Sequence, residues 1–148
     1  DRVRTLALRP GCWRAQAILL STRSSVVTTR LLIVDDSRVS RLMIRARLEA
    51  LHPEWVYTEA VSGDQAVEMV RADPPDCVTM DMNMPGLSGF EAAEQIVAIA
   101  PAVRVVMLTA NIQESSRARA DAIGLKFVAK PITDASIRQV VAFLTEHP

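Results

Sequence analysis

The stretch DCVTMDMNMPG, residues Asp76 to Gly86, decides the fold of this chain. Four residues of low polarity, Cys77 to Met80, lead directly into the carboxylate of Asp81, and a Pro-Gly turn follows within five positions. A short run without polar and apolar alternation is typical of a central strand in a parallel sheet that helices cover on both faces. Because such sheets bind ligands just beyond the carboxyl ends of their strands, Asp81 is a candidate site residue.

The composition fits one globular domain and excludes a nucleic-acid binder. The chain has 148 residues, 49% hydrophobic and 23% charged, with no net charge, and this length is ample for one buried core. Residues 1–28 contain five Arg and one Asp, so the rest of the chain carries an acidic excess. Because a nucleic-acid binder needs a basic excess, we expect no direct contact with nucleic acid.

Neither the cysteines nor the apolar runs indicate a secreted or membrane protein. Cys12 and Cys77 give no disulfide framework and no metal-ligand spacing, which is typical of a reducing compartment, and we expect the cytoplasm. The apolar run Ala17–Leu20 is too short for a membrane span of roughly 20 residues or for the core of a signal peptide. We expect residues 1–28 to be a disordered extension, or the start to be misassigned with the native one near Val26 or Val27, and residues 29–148 to form the domain.

From residue 30 onward, the hydrophobic pattern predicts five strands that alternate with five helices. The predicted strands are Leu31–Val34, Trp55–Val61, Cys77–Met80, Val103–Leu108 and Leu125–Ala129. The helices are predicted to begin near Ser37, Ser62, Ser88, Ile112 and Thr133, with capping boxes at Ser62–Gln65 and Ser88–Glu91. This alternation predicts an α/β fold, a doubly wound open sheet of parallel strands with right-handed crossovers.

Apolar spacing predicts which helix faces are buried. In the first helix, one face carries the apolar residues that we expect to be buried: Val39, Leu42, Met43, Ala46 and Ala50. Another face carries Arg38, Arg41 and Arg45, and we favour a solvated face over a docking site there. The fourth helix, Ile112–Ile123, is only weakly amphipathic, so we expect it to be the least firmly anchored.

The polar residues that could do chemistry follow the strands. The first strand ends in Asp35-Asp36, the third in Asp81, the fourth in Thr109 and the fifth in Lys130. Three carboxylates in one cleft repel one another by roughly 4 kcal/mol per pair at ~4 Å and an effective dielectric of ~20. A divalent cation would relieve this repulsion, and an all-oxygen site favours Mg²⁺ or Mn²⁺. An acid that accepts a phosphoryl group needs such a metal and such an ammonium to neutralise the phosphoryl oxygens.

Residues 29–144 resemble the receiver domain of bacterial two-component response regulators, in particular the stand-alone receivers of chemotaxis. The resemblance rests on five segments in order: Leu31–Ser37, Ala60–Ala66, Asp81–Gly89, Val106–Ala110 and Phe127–Pro131. Each segment alone is weak evidence, whereas five at suitable spacings are highly specific. They cover about four fifths of the chain.

The resemblance implies the fold and the residues that accept the phosphoryl group. The implied fold is flavodoxin-like, with strand order 2-1-3-4-5 and five flanking helices. Asp81 would be the phosphoacceptor. Mg²⁺ or Mn²⁺ would be bound by Asp35, Asp36, Asp81 and the backbone carbonyl of Asn83.

The resemblance also implies a switch. Lys130 would pair with the phosphoryl group, through a peptide bond to Pro131 that is cis in the family. Thr109 would hydrogen-bond the phosphoryl group and draw the following loop inward, and the small Ala110 would not obstruct this movement. Phe127 would then move as the switch aromatic; a plain core role for Phe127 stays open.

The implied function is a phosphorylation-dependent signalling switch. Its donor would be a phosphohistidine on a sensor histidine kinase or on a histidine phosphotransfer protein. Its output would pass through the face of helix four, strand five and helix five to an unknown effector or to a second copy of the chain. Such a module is not a turnover enzyme, since at most it catalyses its own phosphorylation and dephosphorylation. A chemotaxis effector and a phosphorelay intermediate remain alternatives.

Two other classes fit the same topology less well. An aspartyl-phosphate phosphatase needs a second acid two positions after its nucleophile, and that position is Asn83. A flavin or nucleotide binder needs a loop rich in Gly, Ser or Thr after the first strand. Asp35-Asp36 occupies that position instead and would repel phosphates.

Overall fold

The computed structural model describes residues 28–110 and 114–146, so the predicted extension falls almost entirely outside the described residues. Strands and helices alternate along the chain. They are β1 (Arg30–Val34), α1 (Arg38–Leu51), β2 (Val56–Ala60), α2 (Gly63–Ala72), β3 (Cys77–Asp81), α3 (Gly89–Ile99), β4 (Arg104–Thr109), α4 (Glu114–Ala122), β5 (Lys126–Ala129) and α5 (Asp134–Thr145). In the described part of the chain, no helix is long and apolar enough to cross a membrane.

The sheet is parallel and confirms the predicted order, β2-β1-β3-β4-β5. All five residues of β3 are buried, because this strand is central and helices cover both of its faces. The register aligns Val34 with Met80, and Asp81 with Leu108. Strands β1, β3 and β4 therefore end side by side, and the residues that follow them share one edge of the sheet.

Two apolar cores flank the sheet, as a doubly wound fold requires. One core joins alternate strand residues such as Val34 and Met80 to Val70 of α2 and Ile96 of α3. The other core joins the intervening strand residues to α1 and α5. Its members include Leu31, Ile33, Ile44, Leu48, Ile137 and Val140.

The predicted buried face of α1 is wrong. Val39, Leu42 and Met43 are 67%, 53% and 42% exposed, and Ala46 and Ala50 are exposed as well. The helix instead buries its other apolar stripe, Ile44 and Leu48. An apolar strip of α1 that comprises Val39, Leu42 and Met43 is therefore open to solvent.

Ion pairs to the edge strand β2 explain this rotation of α1. Arg41 binds Glu59 at 2.9 Å, and Arg45 binds the same carboxylate at 3.2 Å. Because the side chain of Arg41 is only 11% exposed, the interpretation of the arginine stripe as a solvated face is wrong at this position. Pairing with β2 turns the strip of Val39 and Leu42 away from the sheet.

The helix starts follow the predicted caps, with one difference. Ser37, Ser62, Ser88 and Thr133 are the N-caps of α1, α2, α3 and α5. Ser88 and Glu91 form the predicted capping box. Gln65, however, accepts from the N–H of Val61 at 2.8 Å, so the box expected with Ser62 is not the reciprocal one. The side chain bonds one residue earlier and satisfies the end of β2.

Thr79→Val should stabilise the protein. Thr79 lies in the middle of β3 at 0% exposure, and its hydroxyl has no hydrogen-bond partner among the residues that the structure describes. Valine keeps the shape and removes the unsatisfied group, so we expect the free energy of unfolding to increase by about 1 kcal/mol in urea denaturation. Thr58→Val on the exposed side of β2 is the control and should change it little. A less stable Thr79→Val variant would show that the hydroxyl is hydrogen-bonded.

Candidate functional site

Three carboxylates meet at the carboxyl edge of the sheet. One oxygen each from Asp35, Asp36 and Asp81 lies within 4.8 Å of the others. Asp35 and Asp81 are 1% and 5% exposed, whereas Asp36 is exposed. Parallel pairing of β1 with β3 produces this cluster, because it ends the two strands at neighbouring positions.

Lys130 brings one positive charge into the cluster. Its Nζ donates to Oδ1 of Asp81 at 2.8 Å and lies 3.7 Å from Oδ2 of Asp35. Its backbone N–H donates to the carbonyl of Thr109 at 2.8 Å, so the end of β4 holds the start of the loop after β5. The Lys130–Pro131 peptide bond is cis. One ammonium faces three acids, which leaves an excess of negative charge at this edge.

The buried carboxylate of Asp35 is hydrogen-bonded through one of its two oxygens in the described part of the chain. Its Oδ1 accepts the N–H of Ser37 at 2.8 Å, whereas the buried Oδ2 has no hydrogen-bond partner among the described residues. Burial raises the pKa of Asp35, and the negative charges of Asp81 and Asp36 add to the increase, whereas the N–H of Ser37 and the ammonium of Lys130 oppose it. The ionised carboxylate is therefore destabilised in the free protein.

A small divalent cation fits this arrangement. The Oδ2 of Asp35 has no hydrogen bond among the described residues, and each of the three acids offers one carboxylate oxygen to the cluster. Hard cations prefer such ligands. A cation there would offset both the mutual repulsion of the acids and the burial of Asp35. Asn83 is exposed in the loop after β3, two residues beyond Asp81.

The predicted switch residues lie at the end of β4, which pairs with β3, and on the next strand, β5. Thr109 ends β4 and is 2% exposed, and Ala110 after it is exposed. Phe127 on β5 is half-buried and packs against the core beneath α2 and α3. The register pairs Asp81 with Leu108, one residue before Thr109, so Thr109 ends the strand next to Asp81.

Gly89 packs against the main chain of Asp81. This contact was not predicted from the sequence. A Cβ at Gly89 would overlap the carbonyl oxygen of Asp81 and lie 2.9 Å from its carbonyl carbon. The first turn of α3 thus packs directly on the main chain of Asp81. The sequence signal was a glycine at the first position of a predicted helix, where glycine is costly without a close backbone approach.

Asp35→Asn should stabilise the metal-free protein and weaken its response to Mg²⁺. Because the pKa of Asp35 is raised on folding, the stability linked to this group is full below the ordinary carboxyl range and is lost as pH rises through the raised pKa. Asparagine removes that loss, so we expect a higher melting temperature in EDTA at pH 8 and a smaller gain at pH 4. Mg²⁺, which should raise the melting temperature of the native protein, should raise that of the variant much less.

The exposed acid provides the control. Asp36→Asn should also weaken the response to Mg²⁺, but it should leave the metal-free melting temperature nearly unchanged because Asp36 is exposed. A lower metal-free melting temperature for Asp35→Asn at pH 8 would contradict the proposed cost of the buried carboxylate.

Known proteins are similar to this chain in sequence and in fold. Protein CcdB of Bacillus subtilis is 34% identical over 120 residues, which are 80% of this chain and 99% of that protein. Protein-glutamate methylesterase/protein-glutamine glutaminase 1 of Geobacter sulfurreducens is 37% identical over 115 residues, 76% of this chain, and the chain spans 32% of that enzyme. The solved chemotaxis protein CheY4 of Vibrio cholerae shares the fold, with a TM-score of 0.70 and 22% identity over 79% of this chain and 98% of that one.

The family described as the response regulator receiver domain matches residues 31–142, which include every strand from Leu31 onward and all of the acidic cluster. Its match covers most of the chain, and the CcdB protein is similar over nearly its whole length. This chain belongs to the response regulator receiver domains.

Proposed function

We propose that this protein is a phosphorylation-dependent switch of two-component signalling, with Asp81 as the phosphoacceptor. One observation carries the proposal. The carboxylate of Asp81 ends the central strand, receives a hydrogen bond from Lys130 at 2.8 Å, and lies within 4.8 Å of two further acids. A nucleophilic carboxylate needs both kinds of neighbour, because negative charge increases when a phosphoryl group arrives.

The proposed reaction transfers a phosphoryl group from a phosphohistidine. A carboxylate oxygen of Asp81 forms a bond to phosphorus while the N–P bond of the donor breaks. The imidazole leaves with the electron pair of that bond and takes a proton from water. Lys130 holds the carboxylate in place before transfer and its ammonium offsets charge on the phosphoryl oxygens afterwards.

Metal binding is part of the proposal. Asp35, Asp36, Asp81 and the backbone carbonyl of Asn83 would hold Mg²⁺ or Mn²⁺, which supplies neutralisation of the phosphoryl oxygens when bound. The free Oδ2 of Asp35 supports this assignment. The methylesterase activity named for the Geobacter enzyme is not proposed here, because the match covers only 32% of that protein. The cysteine pattern of this chain supports the cytoplasm as the compartment of this protein.

The output surface is proposed to be the face of α4, β5 and α5. The side chains described in α4 anchor it weakly, since Ala120 is buried there and its neighbours at residues 117–119 are exposed. Arg119 ties α4 to α3 through a surface ion pair with Glu94, and such pairs contribute little. Movement of Thr109 toward a phosphoryl group would leave space for Phe127, and an effector or a second copy of the chain would bind the altered face.

The donor is proposed to dock on the exposed apolar strip of α1, which comprises Val39, Leu42 and Met43. This strip begins three residues after Asp36, so a protein that covers it also covers the mouth of the acidic cluster. Since Asp81 is only 5% exposed, a donor must pack closely around that mouth. We therefore expect the donor protein to present its phosphohistidine on an apolar helical surface, because such a surface would pack against the apolar strip of α1.

Acetyl phosphate tests the proposed function directly. With Mg²⁺, we expect one phosphoryl group per chain, cleaved by hydroxylamine as an acyl phosphate is, and mass spectrometry should locate it on Asp81. EDTA should prevent the labelling. A label that resists hydroxylamine, or one on a hydroxyl or an imidazole, would overturn the proposal.

Leu42→Glu should separate docking from chemistry. We expect the charge to slow transfer from autophosphorylated histidine kinases by on the order of tenfold, because it disrupts an apolar contact. A panel of histidine kinases is first screened with the native chain, and only those that phosphorylate it are used for the comparison. Labelling by acetyl phosphate should be unchanged, since this donor needs no docking surface. Equal slowing with both donors would show that the variant perturbs the site itself.

A further inference from the structure

We propose that Arg41 is a positioning residue for the acidic cluster. Its guanidinium fixes the peptide between Asp35 and Asp36 and so holds both carboxylates where one divalent cation can bind. This inference rests on the proposed function, because it assumes that the cluster binds a metal. It adds a residue on α1 that touches neither the metal nor the phosphoryl group.

Arg41 links three elements of the fold. Its Nη1 donates to the backbone carbonyl of Asp35 at 2.8 Å, and its Nε donates to Oε2 of Glu59 at 2.9 Å. The hydrogen bond from Arg41 is the main cause that lowers the pKa of Glu59, so this carboxylate stays charged and holds the guanidinium. The planar fork of an arginine thus joins α1, the end of β1 and the edge strand β2.

This contact adds a third hydrogen bond to those that hold Asp35. The N–H of Asp35 donates to the carbonyl oxygen of Ala60 at 3.2 Å, and Oδ1 of Asp35 accepts from the N–H of Ser37 at 2.8 Å. With its carbonyl bound by Arg41, the direction of Oδ2 toward the cluster is set. Because a peptide unit is planar, a fixed carbonyl at Asp35 also fixes the N–H and the Cα position of Asp36.

The acids need such an anchor, since they repel one another. Asp36 is exposed and lies two residues beyond the end of β1, so its main chain is free to turn unless something holds it. Without Arg41, rotation of the Asp35–Asp36 peptide would relieve the repulsion and spread the ligands apart. A cation would then have to reassemble its site, and its affinity would fall.

The sign of the effect separates positioning from electrostatics. Arg41 is positive, so loss of its charge alone would tighten the binding of a divalent cation. Loss of positioning would weaken that binding. A purely structural role would lower the melting temperature and leave the dissociation constant of the folded protein unchanged.

Calorimetric titration of the full chain with Mg²⁺ tests the proposal. We expect Arg41→Ala to raise the dissociation constant by on the order of tenfold, as the loss of other residues that support metal ligands does. Arg45→Ala is the matched control, because Arg45 binds the same Glu59 at 3.2 Å and also Glu49, and carries the same charge. Its dissociation constant should change by no more than about twofold.

A titration with Ca²⁺ supplies a second measurement. Mg²⁺ demands nearly ideal octahedral geometry, whereas Ca²⁺ tolerates irregular ligands. Arg41→Ala should therefore weaken Mg²⁺ binding more than Ca²⁺ binding. Arg41→Lys keeps the charge but not the planar fork of the guanidinium, so it should also weaken Mg²⁺ binding more than Ca²⁺ binding. This variant replaces Arg41→Ala in the test if Arg41→Ala does not fold.

The outcomes distinguish this inference from the proposed function. If the native chain binds neither Mg²⁺ nor Mn²⁺, both fail. If the native chain binds Mg²⁺ while Arg41→Ala and Arg41→Lys bind it as tightly or more tightly, the positioning role is overturned and the proposed function stands. Equal weakening by Arg45→Ala would also overturn it, because the cause would then be Glu59 or β2.

Discussion

Asp81→Asn takes up no phosphoryl group from acetyl phosphate and Mg²⁺ under conditions in which the native chain is labelled. An amide oxygen is a poor nucleophile, and the substitution also removes one negative charge from the cation site. Asparagine has nearly the same shape, and the main chain at residue 81 stays packed against α3. We therefore expect circular dichroism and urea denaturation to show a folded protein, while intact-mass measurement shows no label.

The neighbouring acids make this experiment decisive. Asp36 is exposed and lies within the same cluster, so it is the alternative acceptor. Asp36→Asn should slow labelling through weaker Mg²⁺ binding and leave the label on Asp81. A stoichiometric label that persists in Asp81→Asn and maps to Asp36 would move the phosphoacceptor to the loop after β1. A label on none of Asp35, Asp36 and Asp81 would exclude the cluster as the site.

The sheet and the location of the cluster were predictable, because parallel α/β topology converts positions in sequence into positions in space. Once Leu31–Val34 and Cys77–Met80 are assigned as adjacent parallel strands, the two strands must end side by side, and Asp35 and Asp81 then lie next to each other. The position of Lys130 follows from the same rule through β4 and β5. Each inference needed only the local pattern and the order of the strands, with no side-chain detail.

The orientation of α1 was not predictable from its own sequence. The helix carries two apolar stripes, and its spacing favours the one that contains Val39 and Leu42 over the one that contains Ile44. Glu59, in a strand that follows the helix in sequence, decides between them by binding Arg41 and Arg45. The apolar periodicity of a helix depends on the residues of that helix alone, so it carries no information about a partner that is distant in sequence.

The contact between Gly89 and Asp81 is of the same kind. The sequence shows a glycine after a helix cap, and several explanations fit such a glycine. The described glycines with positive φ are Gly86 and Gly124, so Gly89 is not needed for an unusual backbone conformation. It is needed for space, and only the packed structure shows that the main chain of Asp81 occupies that space.

Gly89→Ala should therefore destabilise the protein although alanine is the better helix former. In an exposed helix, this substitution stabilises by about 1 kcal/mol. Here the new Cβ overlaps the carbonyl oxygen of Asp81. Neither the central strand nor α3 can shift without disturbing the core, so we expect a loss of about 3 kcal/mol in the free energy of unfolding. Labelling of Asp81 by acetyl phosphate should also slow, because relief of the overlap displaces the phosphoacceptor.

Gly124→Ala is the matched control for this substitution. Gly124 has a φ of 78°, and no atom lies within 4 Å of its hypothetical Cβ, so alanine costs only the left-handed conformation, about 1 kcal/mol. Urea denaturation should rank the native chain first, Gly124→Ala second and Gly89→Ala last, and labelling should slow in Gly89→Ala alone. If Gly89→Ala is as stable as the native chain, α3 and β3 are farther apart than this structure has them. If it is destabilised but labels Asp81 at the native rate, the contact supports the fold and does not position the carboxylate.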